Sequence, residues 1–168
     1  MDALSVLKSD HDNVKALFKR LRALATGAAA EREELFLRID EELKIHSDIE
    51  ENVFYPTFKE RSEDEVERDE IAEAYEDHAK VATLLQELES LVPSGASYEE
   101  KLHDLMDSVE EHIEDEEGTM FGMARDLFDE GELDRLGAEL LAAKEEAKEL
   151  TGEDLEELEE IDSERRTR

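Results

Sequence analysis

The sequence contains no cysteine. This absence excludes disulfide bonds, zinc fingers, haem–thiolate sites and iron–sulfur clusters. Any metal ion must therefore be held by nitrogen and oxygen ligands. A chain without disulfides also fits the reducing cytoplasm, which is the localisation that we predict.

Basic residues and long apolar runs are scarce as well. The chain has 20 Lys and Arg against 51 Asp and Glu, and its formal net charge is -31. Such an acidic surface repels phosphate groups and anionic lipid, so we expect neither nucleic acid nor membrane as a partner. No apolar run approaches the ~20 residues needed to cross a bilayer, and we expect no signal peptide at the N-terminus.

Proline and glycine are rare too, at two and seven residues in 168. Apolar residues recur instead with the period of a helix, which predicts an all-α protein with a single core. Five helices are predicted, at about Asp2 to Ala25, Ala29 to Lys59, Val66 to Val92, Tyr98 to Leu127 and Glu132 to Leu150.

Smaller features of these helices are also predicted. Pro56 should bend the second helix or begin its end. Ser97 and Glu100 should form a capping box at the start of the fourth helix. The fifth helix should cover one end of the bundle with Leu133, Leu136, Leu140 and Leu141. The acidic tail after Thr151-Gly152 is assigned no function.

Histidines interrupt the apolar stripe of each long helix, and two of them precede a glutamate by four residues. The six residues are His11, His46, Glu50, His78, His112 and Glu116. Four residues turn a helix by roughly 400°, so each His-x-x-x-Glu pair lies on one face. A lone histidine is more often a hydrogen-bonded core residue, and a single such pair is common on surfaces. Metal binding is therefore predicted from the six residues taken together and not from any one of them.

The two halves of the chain repeat one another. His11 recurs as His78 with an offset of 67 residues, and the His46–Glu50 pair recurs as His112–Glu116 with an offset of 66. Each half is therefore predicted to be a helical hairpin with one lone histidine and one His-x-x-x-Glu pair. An approximate twofold axis would bring all six residues together at the middle of the bundle.

Two metal ions would satisfy these six residues. A buried carboxylate without a partner costs several kcal/mol, which is about the size of a domain's whole stability. We expect each ion to take two imidazoles and the two glutamates to bridge, a ligand set that suits iron, with manganese or zinc as substitutes. Glu51 and Glu117 are predicted to support ligands or to lie on the surface, and His103 to face solvent.

The order His, His-x-x-x-Glu, His, His-x-x-x-Glu, with "EENVFYP" after His46, resembles the hemerythrin-like or HHE cation-binding domain. The resemblance implies an antiparallel, up-down four-helix bundle, which we assign to residues 1–128. Residues 129–168 are predicted from the apolar pattern to add a C-terminal helix and an acidic tail. The resemblance also implies a non-haem di-iron centre with an oxo or hydroxo bridge, whose ligands would be the same six residues.

One departure from this family bears on function. Oxygen-carrying hemerythrins have another histidine one turn from the third-helix ligand, but Ala74 and Ala82 occupy those positions here. Water, Tyr75 or a nearby glutamate could fill the position. We therefore predict a protein that binds oxygen or responds to iron, oxygen or redox state. The alternatives are a di-iron oxidoreductase acting on peroxide, O2 or NO, and a metal-free helical interaction module.

Overall fold

The computed structural model describes the backbone of residues 1–166 and the side chains of residues 1–151. Its regular elements are helices: α1 (Ala3–Ala23), α2 (Ala29–Ile49), π1 (Glu50–Phe54), α3 (Tyr55–Arg61), α4 (Glu65–Glu89), α5 (Ala96–Asp115), π2 (Glu116–Met120), α6 (Phe121–Leu127) and α7 (Glu130–Arg166). The segments α2, π1 and α3 form one continuous helix, as do α5, π2 and α6. The predicted all-α bundle with an extra C-terminal helix is confirmed.

Two apolar clusters fill the bundle on either side of a polar layer. One cluster joins the end of α1, at Leu17 and Leu21, to the beginning of α2, at Leu35 and Ile39. This pairing of opposite ends means that α1 and α2 run antiparallel. The other cluster contains the beginning of α1 together with residues of α3, α6 and α7. Each fully buried leucine contributes about 1.5–3 kcal/mol, so the clusters hold the polar layer between them.

Side-chain caps fix the beginnings of α1 and α4. The Asp2 carboxylate accepts a hydrogen bond from the Ser5 backbone N–H at 2.9 Å, and Asp64 forms a capping box with Glu67. The predicted capping box of Ser97 and Glu100 is wrong. Helix α5 begins after Gly95, and Ser97 already lies inside the helix, where its side chain cannot act as an N-cap.

Helix α7 lies against α1, α2 and π1. Three of the four predicted leucines, Leu133, Leu136 and Leu140, are buried, whereas Leu141 is exposed. Helix α7 is longer than predicted, because its backbone continues past Thr151 to Arg166. The side chains of the acidic tail, residues 152–168, lie outside the described part. Within the described residues, no helix has the length and apolar character needed to cross a membrane.

Candidate metal centre

The six predicted site residues come together in the polar layer. His11 lies on α1, His46 on α2, His78 on α4 and His112 on α5. Glu50 and Glu116 are the first residues of π1 and π2. All six side chains are buried, with Glu50 fully so and Glu116 at 2% exposure. The fold therefore places every member of the predicted set at one level of the bundle. That they bind metal stays a prediction.

The ring nitrogens face one another in two symmetric pairs. The Nε2 atoms of His11 and His46 are 3.2 Å apart, and those of His78 and His112 are also 3.2 Å apart. The ring centroids are separated by 4.8 Å in both pairs, with interplanar angles of 69° and 68°. The internal repeat of the sequence is thus reproduced as a local twofold symmetry of the site.

Glu50 stands between the two histidine pairs. Its Oε1 lies 3.0 Å from His46 Nε2, and its Oε2 lies 3.0 Å from His78 Nε2. The potential ligand atoms therefore form two groups that share Glu50, one with His11 and His46 and one with His78 and His112; within each group the atoms lie within 4.8 Å of one another.

Glu116 is less central than Glu50. Its Oε2 lies 3.0 Å from His112 Nε2, and Glu116 belongs to neither of the two groups. One glutamate therefore lies between the two histidine pairs, and the other lies beside the second pair.

The two π-helical segments shape the layer. In each, a backbone N–H bonds to the carbonyl five residues earlier, from Tyr55 to Glu50 and from Phe121 to Glu116. This wider turn accommodates one extra residue, and such turns occur frequently at functional sites. In a regular α-helix, residue 55 would lie about 140° around the axis from residue 50. The π turn instead brings the aromatic side chain over the carboxylate.

A carboxylate contacts the outer nitrogen of every site histidine. Glu117 Oε1 lies 2.9 Å from His11 Nδ1, and Glu51 Oε1 lies 2.9 Å from His78 Nδ1. This confirms that these two glutamates support the central residues, and each supports the lone histidine of the opposite half. An Nδ1–H that donates to a carboxylate leaves the Nε2 lone pair directed inward, which is the tautomer that binds metal.

Two further carboxylates that contact site histidines were not predicted from the sequence. Asp10 Oδ2 lies 3.2 Å from His46 Nδ1, and Asp77 Oδ2 lies 3.2 Å from His112 Nδ1. Each aspartate directly precedes a lone histidine, so the repeated Asp-His dipeptide was the available signal. Asp10 is buried and also forms an ion pair with Lys144 of α7. The C-terminal helix is thereby connected to the centre.

The charges inside the layer are strongly coupled. Burial lowers the pKa of His46, but the charge of Glu50 and the hydrogen bond to Asp10 outweigh it and raise that pKa to about 10. Burial is likewise outweighed at His112, where Glu116 and its neighbours raise the pKa to about 9. These histidines therefore hold protons strongly when no metal ion is present.

The pKa values of the other central residues shift in different directions. Burial and the charge of His46 lower the pKa of His11 to about 4. Burial and the neighbouring charge of Glu50 raise the pKa of Glu116 to about 7. Burial opposes ionisation of Glu50 as well, but His46 and His78 keep its pKa well below the usual range.

These residues fit bound cations. Glu50 Oε1 and Glu116 Oε1 are buried and make no hydrogen bond; the nearest site nitrogen to Glu50 Oε1 is His46 Nε2, at 3.0 Å. Leaving a buried polar atom without a hydrogen bond costs about 1–3 kcal/mol. Inward-facing imidazole nitrogens and unpaired carboxylate oxygens are the donors that iron, manganese and zinc accept. The unpaired oxygens and the facing nitrogens would all gain a partner from a metal ion.

Tyr55 occupies the middle of the centre. Its hydroxyl lies 3.1 Å from Glu50 Oε2, 3.2 Å from His78 Nε2 and 3.3 Å from Glu116 Oε2. Burial and the charges of both glutamates raise the pKa of Tyr55 well above its ordinary value, so the hydroxyl keeps its proton. At the equivalent position in the second half, Phe121 stacks on His11.

Tyr75, which the sequence suggested for the position beside His78, does not reach the centre. Its hydroxyl donates a hydrogen bond to the backbone carbonyl of Glu51 at 3.3 Å. In a π-helix this carbonyl would accept a hydrogen bond from the N–H of residue 56, but Pro56 has no N–H. Tyr75 satisfies the carbonyl of Glu51 instead. The helix continues past Pro56 to Arg61, and the π turn does not depend on the proline, because π2 forms in the second half with Gly122 at the equivalent position. His103 is exposed, as predicted.

Comparison with known proteins agrees with this architecture. The sequence model of the "Hemerythrin HHE cation binding domain" matches residues 2–124. The crystal structure of a hemerythrin HHE cation binding domain-containing protein, the Rv2633c homolog from Mycobacterium kansasii, has a TM-score of 0.80 and 26% identity. The match covers 93% of both chains.

A DNA nickase from Nostoc sp. (strain PCC 7120 / SAG 25.82 / UTEX 2576) is 26% identical over 152 residues. That match covers 90% of this chain but only 42% of the nickase, so this chain spans less than half the length of that relative. Since the family match extends over most of the chain and includes all six central residues, the chain belongs to the hemerythrin HHE cation-binding domain family.

Proposed function

We propose that this protein binds two iron ions and uses them to bind oxygen or to respond to iron, oxygen or redox state. The observation that carries the proposal is the convergence of four imidazole Nε2 atoms on Glu50, with Glu116 beside His112. One oxygen of each carboxylate is buried and makes no hydrogen bond. The donors contain nitrogen and oxygen only, which suits iron and leaves manganese and zinc as substitutes.

The six central residues would be divided between the two ions. His11 and His46 would hold one ion, His78 and His112 the other, and Glu50 would contact both. Glu116 would complete the second site. The four outer carboxylates fix the orientation and tautomer of the imidazoles, and the two apolar clusters cover the polar layer from both ends of the bundle. Iron in such a site supplies one-electron redox chemistry and a position for a small ligand such as O2 or peroxide.

Metal analysis tests the proposal directly. Protein purified without chelator should contain about two irons per chain. Glu50→Ala and Glu116→Ala should each lose metal, because each removes a central carboxylate. His103→Ala is the matched control, since this histidine is exposed and should retain the wild-type content. If the protein keeps its helical structure but takes up no iron when iron is supplied, a metal-free interaction module becomes the better explanation.

A second measurement addresses the ligand. Reduced, iron-loaded protein should change its visible spectrum on exposure to oxygen and regain the original spectrum when oxygen is removed. A spectrum that does not respond to oxygen would contradict oxygen binding while leaving metal binding intact.

An oxidoreductase acting on peroxide, O2 or NO is the second candidate, and the position of Tyr55 favours it. Its hydroxyl retains a proton and lies among Glu50, Glu116 and His78, so it can donate that proton to a small molecule bound at the centre. Steady-state turnover of peroxide that is lost in His78→Ala and slowed in Tyr55→Phe would support this activity. Rates no faster than those of free iron would exclude it.

DNA nicking is not supported by this chain. The nickase relative is more than twice as long as the matched region, and a net charge of -31 opposes contact with phosphate backbones. Incubation of supercoiled plasmid with iron-loaded protein should therefore leave the plasmid intact.

A further inference from the structure

An acidic cleft opens beside the second histidine pair. It has a volume of about 210 Å³ and lies between α4 on one side and α5 with π2 on the other. Its outer walls carry Glu70, Glu73 and Asp115, and its lining also includes His112 and Glu116. The cleft therefore connects surface carboxylates with two residues of the centre.

The carboxylate that lines the inner end of this cleft has a free acceptor. Glu116 is 2% exposed, and its Oε1 makes no hydrogen bond. In the part of the chain with described side chains, no Lys or Arg forms an ion pair with Glu70, Glu73 or Asp115. Burial together with the charges of Glu73 and Asp115 raises the pKa of Glu70, as expected for like charges held close together.

The internal repeat supplies a comparison within the same molecule. The first-half positions equivalent to Glu70, Glu73, Asp115 and Thr119 are Ala3, Val6, Ile49 and Val53. These four are apolar and pack in the cluster that contains the buried leucines of α7. One side of the symmetric centre is thus sealed by the C-terminal helix, whereas the equivalent surface on the other side is open and acidic.

We propose that this cleft is the route by which a divalent cation reaches the centre. Unpaired carboxylates at the mouth concentrate cations and accelerate their association. Imidazole and carboxylate groups at the inner end then offer the permanent site. The inference rests on the proposed function, because a route is needed only if the centre binds metal.

Stopped-flow loading of the metal-free protein with Fe²⁺ under anaerobic conditions tests the route. The variant is Glu70→Gln/Glu73→Gln, which removes two charges at the mouth and no central residue. The control is Glu31→Gln/Glu34→Gln, which removes two exposed charges with the same spacing near the beginning of α2. At low ionic strength the cleft variant should load about fivefold more slowly than wild type or control. The difference should vanish near 1 M salt, where the Debye length is about 3 Å.

The amount of iron bound at the end separates the two proposals. Wild-type protein that binds no iron would overturn the proposed function. Wild-type protein that loads normally while the cleft variant loads at the control rate would overturn the route alone. A cleft variant that loads at the control rate but binds fewer ions at equilibrium would also overturn it, because these glutamates would then belong to the holding site.

A second variant tests the route without removing an acid. Thr119 is exposed and lines the cleft, so Thr119→Arg places a cation at the mouth and should slow loading by a similar or larger factor. An unchanged loading rate in this variant would contradict the route.

Discussion

Removal of one hydroxyl group tests how the centre is held together. Tyr55→Phe deletes the hydroxyl that lies among Glu50, His78 and Glu116 and preserves the ring that packs in the core. Phe121 shows that phenylalanine is accepted at the symmetric position in the other half. The substitution therefore isolates the hydrogen bond from the packing of the ring.

The expected magnitude follows from these contacts. A hydroxyl has one proton to donate, and a hydrogen bond to a charged acceptor contributes about 1.5–3 kcal/mol. We expect Tyr55→Phe to lower the free energy of unfolding of the metal-free protein by about 2 kcal/mol. With a urea m-value of about 2 kcal/mol/M, the midpoint should fall by about 1 M. Circular dichroism during urea unfolding at pH 7 measures this shift.

Tyr75→Phe is the matched control. Its hydroxyl makes one 3.3 Å hydrogen bond to a neutral carbonyl, and the residue is 37% exposed. Its loss should cost less than about 1 kcal/mol. If Tyr55→Phe were no more destabilising than Tyr75→Phe, or if it stabilised the protein, the buried hydroxyl would not be stabilising a buried carboxylate.

Three further perturbations have definite expected outcomes. In Gly137→Ala the new Cβ would collide with the backbone of Met1 and Asp2. Urea unfolding should therefore show that the free energy of unfolding falls by about 1–3 kcal/mol. Gly122→Ala is the control and should show no such loss, because its Cβ meets nothing within 4 Å. Lys144→Met removes one of the two partners of the buried Asp10 and leaves His46 as the other, so it should cost about 1.5–3 kcal/mol in the same assay. Lys8→Met, at an exposed pair, should leave the midpoint unchanged. Metal binding should release protons at pH 7, because the pKa values of two site histidines are raised to about 10 and about 9, and affinity should therefore rise with pH. Calorimetry in buffers of different ionisation enthalpy counts these protons, and a count of zero would contradict the assignment.

The sequence predicted the helices and the six central residues for a physical reason. Helical periodicity is a long-range pattern, and a histidine such as His11 within an apolar stripe stands out against it. The repeat then multiplied this signal, since the same exception recurred at equivalent positions in the second half. The polar layer could be predicted because its residues interrupt the helical periodicity of apolar residues.

The remaining details depend on local geometry that the pattern does not contain. A π turn adds one residue within a continuous helix, so at 100° per residue Tyr55 is predicted to lie far from Glu50, although the two are in contact. The false capping box at Ser97 arose because short polar motifs occur inside helices as well as at their ends. Asp10 and Asp77 were visible in the repeat, but aspartates are too common in this acidic chain to attract attention individually.

The exchange of Glu51 and Glu117 between the halves has a consequence for how such a protein can be built. Each glutamate orients a histidine on the opposite hairpin, so a single hairpin lacks the glutamate that aligns its own lone histidine. A free-standing half would have to pair with a second copy of itself to align that histidine in the same way. Joining two hairpins in one polypeptide removes that dependence on concentration and lets the two flanks diverge, one sealed by a helix and the other left accessible.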